Sequence, residues 1–437
     1  MSQQLQDCFD FLAASPSPYH AVAEAARRLE AAGYTRLEES APWALAAGGR
    51  YFTTRGGSSL IAWRMPGKTL RAWRAAAAHS DSPTFRLTRA CVEDTRYARA
   101  RVEGYGGMRL STWLDRPLTL AGRVLVRREA EILTRLIAPD RDLLCIPSLC
   151  VHFDRAGAKG AALDPAVDLQ PIFGQAGQDL GDLITAEAGV CPRRDVLDYD
   201  LSLAVRQKPV RLGLDGAFFM APRIDDLAAA WATLAGFLAG QPSEGCGDLW
   251  CLFDNEEVGS GTRQGALGTF LADVMARAEA ALDVGVDQRL AARAASLLLS
   301  ADNAHATHPN HPETSDAAHP IALNGGVVLK YNASQKYTTS GETGALFCAL
   351  CRQADVPVQV FYNRPDIAGG STLGNLLARQ VSLPMADIGL PQLAMHSAVE
   401  TAGCADLGYL ARATAQLYRT ELAAPADGRW TLTCAAR

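Results

Sequence analysis

The chain has 437 residues, 48% of them hydrophobic and 20% charged; at roughly 100 to 200 residues per domain this predicts two or three domains with sizeable cores and excludes a largely disordered chain. Lysine and arginine number 42 against 47 aspartate and glutamate, a net charge of -5, which lacks the basic excess a nucleic-acid partner requires. The first ten residues show no basic segment followed by an apolar one, and no run approaches the roughly 18 apolar residues of a membrane span. A cytoplasmic chain with no membrane partner is therefore expected.

Residues 3–32 carry helical spacing interrupted by Ser15-Pro-Ser-Pro18 and predict two helices around a turn. Strands follow at 60–63 and 70–78, the second running into His79-Ser-Asp81-Ser-Pro83. From about 86 to 214 the pattern changes to β-branched, Arg-rich pieces such as 118–126, which predicts an inserted, mostly β domain. Beyond it, helical patterns at 227–238, 266–281, 344–354 and 398–418 alternate with short apolar strands at 249–253, 296–300, 356–362 and 382–388. Such alternation predicts an α/β domain with a mainly parallel sheet, built from residues 1–85 and 215–437 together. The 11 cysteines are odd in number and scattered, as suits a reducing compartment. Cys348 and Cys351, inside an apolar helical run, read as two buried thiols.

Several of these segments end in metal-type residues: His79 and Asp81, Asp225, Glu256 and Glu257, Asp302, and His396. The carboxyl ends of parallel strands converge on one crevice, so residues far apart in sequence can meet there. Two histidines with three carboxylates suit a pair of borderline divalent cations, zinc first, cobalt or manganese as alternatives. Asp81, two residues beyond His79, is expected to accept the second ring N–H of that histidine and so fix its tautomer. Of Asp225 and Asp226, one is expected to cap the following helix and the other to be free to bridge two metals. Glu256 and Glu257 lie between apolar and glycine-rich flanks, so one can bind metal while its neighbour takes a proton. His396 is the only histidine of the last hundred residues and supplies the nitrogen that the second metal otherwise lacks. His305, His308, His311 and His319 are interleaved with prolines and are expected in a surface loop or in supporting roles.

The motifs Ala78-His-Ser-Asp-Ser-Pro83, Ile224-Asp-Asp-Leu227, Asp254-Asn-Glu-Glu-Val-Gly-Ser260, Ser300-Ala-Asp302 and Leu393-Ala-Met-His-Ser397 resemble the aspartyl aminopeptidases, cocatalytic zinc exopeptidases. The likeness runs over nearly the whole chain, including Ser111-Thr-Trp-Leu-Asp-Arg116. It implies a phosphorylase/hydrolase-like α/β catalytic domain, a smaller β domain used in dimerisation, and a large homo-oligomer, a tetrahedral dodecamer. Residue by residue, the resemblance makes His79 and Asp302 ligands of one metal, Glu257 and His396 ligands of the other, Asp225 their bridge and Glu256 the general base. It also implies that His152 enters a neighbouring subunit's site to stabilise the tetrahedral intermediate, and that Lys330 and Tyr337 face an acidic N-terminal residue of a peptide substrate. A surface lysine is the plainer reading of Lys330. Three positions depart from the family pattern: Gly369 stands where a cysteine is usual, Pro365 where a small polar residue is usual, and Ser148 where a histidine is usual. A broader aminopeptidase for neutral residues, a dinuclear deacylase and a non-catalytic, zinc-stabilised scaffold are the competing readings.

Overall fold

A computed structural model describes residues 2–92, 96–155, 162–367 and 369–434. Its centre is a nine-stranded sheet in the order Thr35–Arg36, Arg50–Arg55, Ser59–Arg64, Cys246–Phe253, Ala72–His79, Leu297–Ala301, Met385–Gly389, Val327–Tyr331, Val358–Tyr362. Ala72–His79 lies parallel to both of its neighbours, Cys246–Phe253 and Leu297–Ala301, and Leu297–Ala301 lies parallel to Met385–Gly389. All eight residues of Ala72–His79 are buried, as a strand covered on both faces requires. Its alanines leave room for helices to approach closely.

Helix Ile224–Ala239 is apolar all round, with Ala228, Ala229, Ala230 and Ala232 fully buried, which fits a helix enclosed between the sheet and other helices. Against it packs the final helix, Cys404–Leu417. A Cβ on Gly236 would lie 2.6 Å from Thr414 Cβ and 2.7 Å from the Ala411 carbonyl oxygen, so the closeness of this pair depends on glycine. The two N-terminal helices, Gln3–Ala14 and Pro18–Ala31, begin on Ser2 and Ser17, whose hydroxyls accept backbone N–H groups of the first turn. The Arg223 guanidinium donates to the carbonyls of Leu12 and Ser15, where the end of the first helix attracts a cation. This anchors the hairpin to the chain just ahead of Asp225.

A six-stranded antiparallel sheet draws its strands from Thr84–Val92, Tyr97–Tyr105, Leu118–Arg128, Glu131–Ile137, Ile172–Gln175 and Val196–Val205. Its core also takes in Ala398 and Val399, immediately after His396, so it grips the loop that carries that histidine. A five-stranded sheet of Val210–Leu212, Phe218–Ala221, Glu400–Gly403, Pro391–Leu393 and Ala304–His305 lies beneath the same loop.

Several expected elements shift. The helix expected at 398–418 starts at Cys404, because Glu400–Gly403 pairs with Phe218–Ala221 as a strand; β-branched Thr401 favours that pairing. The helix expected from 266 starts at Phe270, after Gly265, Gly268 and Thr269. Val327–Tyr331, which carries Lys330, forms a strand that the sequence pattern did not mark. Cys351 is buried, whereas Cys348, expected buried as well, is only partly so.

Candidate metal centre

Most of the ligand-type residues stand at or just beyond the carboxyl ends of the central strands of the sheet. His79 ends its strand, level with Phe253 of the next one, and the chain beyond Phe253 turns through Asp254 and Asn255 into a short 3-10 turn holding Glu256 and Glu257. Asp302 follows Leu297–Ala301, and Asp225 lies at the entry to Ile224–Ala239 with backbone angles that are not helical. His396 sits between the short strands Pro391–Leu393 and Glu400–Gly403 with a left-handed φ of 65°. Parallel strands end together, so residues separated by over 300 positions meet.

Three groups form there. Ligand-type atoms of His79, Asp225, Asp226 and Asp302 lie within 4.8 Å of one another, as do those of Asp225, Glu257 and His396, and those of His79, Glu256 and Glu257. Asp225 belongs to the first two. Its Oδ1 is 3.5 Å from His79 Nε2 and its Oδ2 is 3.4 Å from His396 Nε2, which is itself 3.3 Å from Glu257 Oε2.

The donor set fits a pair of divalent cations. Asp225 Oδ1 and Glu257 Oε1 are buried without a hydrogen-bond partner, a costly state for a carboxylate unless a cation balances it. Burial first, and then Asp302, pushes Glu256 up to about 8; burial and then Asp225 push Glu257 well above the usual range. Burial also raises Asp302, against the pull of Lys330. Asp225 goes the other way: burial opposes its charge, but the His396 and His79 imidazoles hold it below the usual carboxylate range.

A pH dependence follows from these acids. Glu256 and Glu400 are both raised from 4.5 to about 8, chiefly by burial. Each therefore holds its proton more tightly folded than unfolded, and its contribution to stability is full below 4.5 and lost as pH rises towards 8. Chelator-treated protein should thus melt at progressively lower temperature from about pH 5 to about pH 8, and zinc-loaded protein should not. A flat melting temperature of the chelated sample across that window, read by scanning fluorimetry, would contradict the assignment.

The groups that orient the cluster differ from the expectation in two places. The His79 Nδ1 faces the backbone carbonyl of Asp81 at 3.0 Å, while the Asp81 carboxylate stands 3.4 Å away, because the chain leaves the sheet after His79 and turns that carbonyl towards the ring. The Asp81 carboxylate instead accepts the Tyr105 hydroxyl at 2.7 Å and the backbone N–H groups of Glu256 and Glu257 at 3.1 and 3.2 Å. It positions the acidic turn. Both aspartates have non-helical backbone angles ahead of the regular helix, and the Asp226 side chain, rather than capping it, accepts the backbone N–H of His79 at 3.1 Å.

Tyr105, Asn303 and Glu400 were not picked out in the sequence. Tyr105 sits far off in the β-rich segment, and Asn303 hides beside Asp302. Glu400 is 2% exposed and accepts the backbone N–H of both Asp225 and His396. Its one signal was a spacing of four from His396, which on an expected helix reads as a face rather than a loop.

Lys330 is 3% exposed, which rules out a surface lysine, whereas Lys336 is exposed. Its ammonium donates to the Asn303 carbonyl at 2.8 Å, lies 3.9 Å from Asp302 and stands 5.4 Å above the Tyr337 ring. Burial acts against its charge, yet Asp302, and after it Tyr337 and Asp387, hold its pKa above the usual lysine value.

A profile of the family described as "Aminopeptidase I zinc metalloprotease (M18)" matches residues 11–418. The chain belongs to the M18 aminopeptidase family. It is 41% identical over 424 residues to a probable M18 family aminopeptidase 2 of Stutzerimonas stutzeri, spanning 94% of this chain and 97% of that one. A chain of the Ape4 and Nbr1 complex superimposes with a TM-score of 0.91 at 32% identity, covering 95% of this chain and 85% of that one. A chain of the S. cerevisiae mApe1 dodecamer does so with a TM-score of 0.84 at 28% identity, covering 95% and 96%. The chain is accordingly a metal-dependent aminopeptidase with the mixed α/β fold of that family.

The departures from the family pattern have local settings. Gly369 leaves space for the Asn363 carboxamide, whose Oδ1 would lie 2.5 Å from a Cβ there. The Ser148 backbone N–H donates to Asp115. Pro365 follows Arg364, which pairs with Asp366. His305 is exposed, and His308, His311 and His319 sit on a loop, with His311 bonded to Glu313 and His319 to Asp316; none of the four joins the metal-type cluster. Nor does His152, which lies in an exposed turn of its own chain.

Proposed function

We propose that this aminopeptidase is dinuclear, removes acidic N-terminal residues from peptides and uses Glu256 as its general base. The observation that carries this reading is Asp225, whose two oxygens face two separate histidines, with Glu256 beside the same cluster. His79, Asp225 and Asp302 would hold one zinc ion, and Asp225, Glu257 and His396 the other. When bound, such a pair supplies an acidified water and a polarised scissile carbonyl. Glu256, buried and with high proton affinity, takes the proton of the attacking water and returns it to the leaving amine. Asp81 and Tyr105 hold the turn from which Glu256 projects. Lys330 has three N–H donors and gives one to Asn303, so two remain for a substrate side-chain carboxylate, with Tyr337 as the wall beneath.

The same reading assigns residues 1–85 and 215–437 to the catalytic domain and 86–214 to a dimerisation domain. His152 is flanked by Leu149, Val151 and Phe153, exposed by 63%, 56% and 81%. Such an apolar tip suits insertion into a neighbouring subunit, where His152 would stabilise the tetrahedral intermediate within a tetrahedral dodecamer. All 11 cysteines are free thiols and, among the described residues, no helix is long and apolar enough to cross a membrane; a cytoplasmic site of action belongs to the same proposal.

The test is hydrolysis of matched Asp-, Glu-, Leu- and Lys-aminoacyl substrates, with a chelated sample alongside. Chelator-sensitive preference for Asp and Glu is expected. Lys330→Leu should then lose about 100-fold in kcat/KM on Asp and under about threefold on Leu, the scale of an unpaired buried charge. Preference for Leu or Lys would keep the metal centre and discard the pocket; no turnover on any would overturn both the acidic-residue specificity and the role of Glu256.

A further inference from the structure

Beneath the metal cluster lies a polar network that contributes no atom to the ligand groups. Glu400 Oε2 accepts the backbone N–H of Asp225 at 3.0 Å, and Oε1 accepts the backbone N–H of His396 at 2.8 Å. The Gln392 carboxamide donates to the same Oε1 at 3.3 Å and accepts the Asn303 carboxamide N–H at 2.9 Å; Asn303 also donates to the Ile224 carbonyl at 2.8 Å. One buried carboxyl side chain therefore spans the loops of two residues that face each other across 3.4 Å, and Gln392 and Asn303 extend the link to the loop of Asp302. Left-handed φ angles at Arg223 (60°), Ala394 (58°) and His396 (65°) show that these loops are held in conformations that L-residues disfavour. Such backbone needs fixed partners.

We propose that Glu400 is a positioning residue for the second metal half-site: by clamping the main chain of Asp225 and His396 together, it sets their spacing, while the first half-site, which shares Asp225 but has two ligands held independently of Glu400, His79 and Asp302, depends on it less. His79 is held by its own strand and by Asp226. Asp302 is held by the backbone bond from its N–H to the Ile388 carbonyl. His396 has no such support from a long strand. A group that orients a ligand typically changes metal affinity about 10- to 100-fold when removed. The inference rests on the two-metal reading above.

Glu400→Gln keeps the shape and one acceptor oxygen, and leaves one of the two N–H groups facing an amide. The control is Asp406→Asn, because Asp406 is likewise buried and accepts two backbone N–H groups, from Asn324 and Gly326, away from the cluster. Metal-stripped proteins are titrated with zinc and, in parallel, with cobalt followed by its visible absorption. Wild type should take up two ions per chain. Glu400→Gln should hold the first as wild type does and bind the second about 10- to 100-fold more weakly, with an altered spectrum for the second cobalt only. Asp406→Asn should lose melting temperature yet bind both ions normally. Equal weakening of both ions, an unchanged second ion, or the same selective loss in Asp406→Asn would each overturn the proposal. A wild-type chain that binds one ion removes the two-metal reading and the proposal with it, and is recognised by that measurement alone. If Glu400→Gln does not fold, Glu400→Asp, which retains the carboxyl group but is too short to span both N–H groups, is titrated under the same criteria.

Discussion

Replacing Glu256 by glutamine should lower kcat on the best substrate about 10²- to 10⁴-fold, the usual contribution of a positioned acid–base group, without changing the zinc content of the protein. Glu256 shares the cluster with His79 and Glu257 but stands outside the two groups that contain Asp225. Its backbone is held by Asp81, so the amide should occupy the same place. Because the step proposed for it is proton transfer, KM should move much less than kcat. Metal analysis of the purified variant beside steady-state kinetics checks both halves. Unchanged turnover would remove Glu256 from the mechanism, and loss of zinc would make it a ligand.

Asp225→Asn should be more severe. One carboxylate oxygen faces His79 and the other faces His396, so the substitution removes the only negative charge shared by both half-sites and turns one acceptor into a donor. Uptake at both positions should weaken by at least about 10²-fold, and activity should fall below about 10⁻⁴ of wild type. His396→Ala is the comparison: it leaves His79, Asp225 and Asp302 in place and should retain one ion. Two tightly held ions in Asp225→Asn, measured after dialysis against trace zinc, would show that Asp225 does not bridge. A single retained ion in both variants would place it in the second half-site only.

Much of the cluster was legible because each acid or histidine stood where an apolar strand stopped. His79, Glu256, Glu257 and Asp302 all follow runs such as Leu249–Phe253 and Leu297–Ser300 that have no reason to end in charge unless the charge is used. What the roles of Asp81 and Asp226 required was backbone direction. The expected contact of Asp81 with His79 assumed that an extended strand continues past His79; the chain turns instead, and the carboxylate meets the acidic turn.

Residue type and periodicity by themselves determined the alternating helices and strands, the β-rich character of the middle segment and the identity of the metal-type residues, since these depend on local apolar spacing and on side-chain chemistry. Tertiary structure alone decided that Glu400 is part of a strand rather than a helix, that Lys330 is buried against Asp302 and that Tyr105 reaches the Asp81 carboxylate. In each case the deciding partner lies far away in the chain: Phe218–Ala221 for Glu400, Asn303 for Lys330, Asp81 for Tyr105. A backbone or side chain that is satisfied by a distant partner leaves no periodic trace in its own neighbourhood, which is why these contacts became visible only once the sheets were assembled.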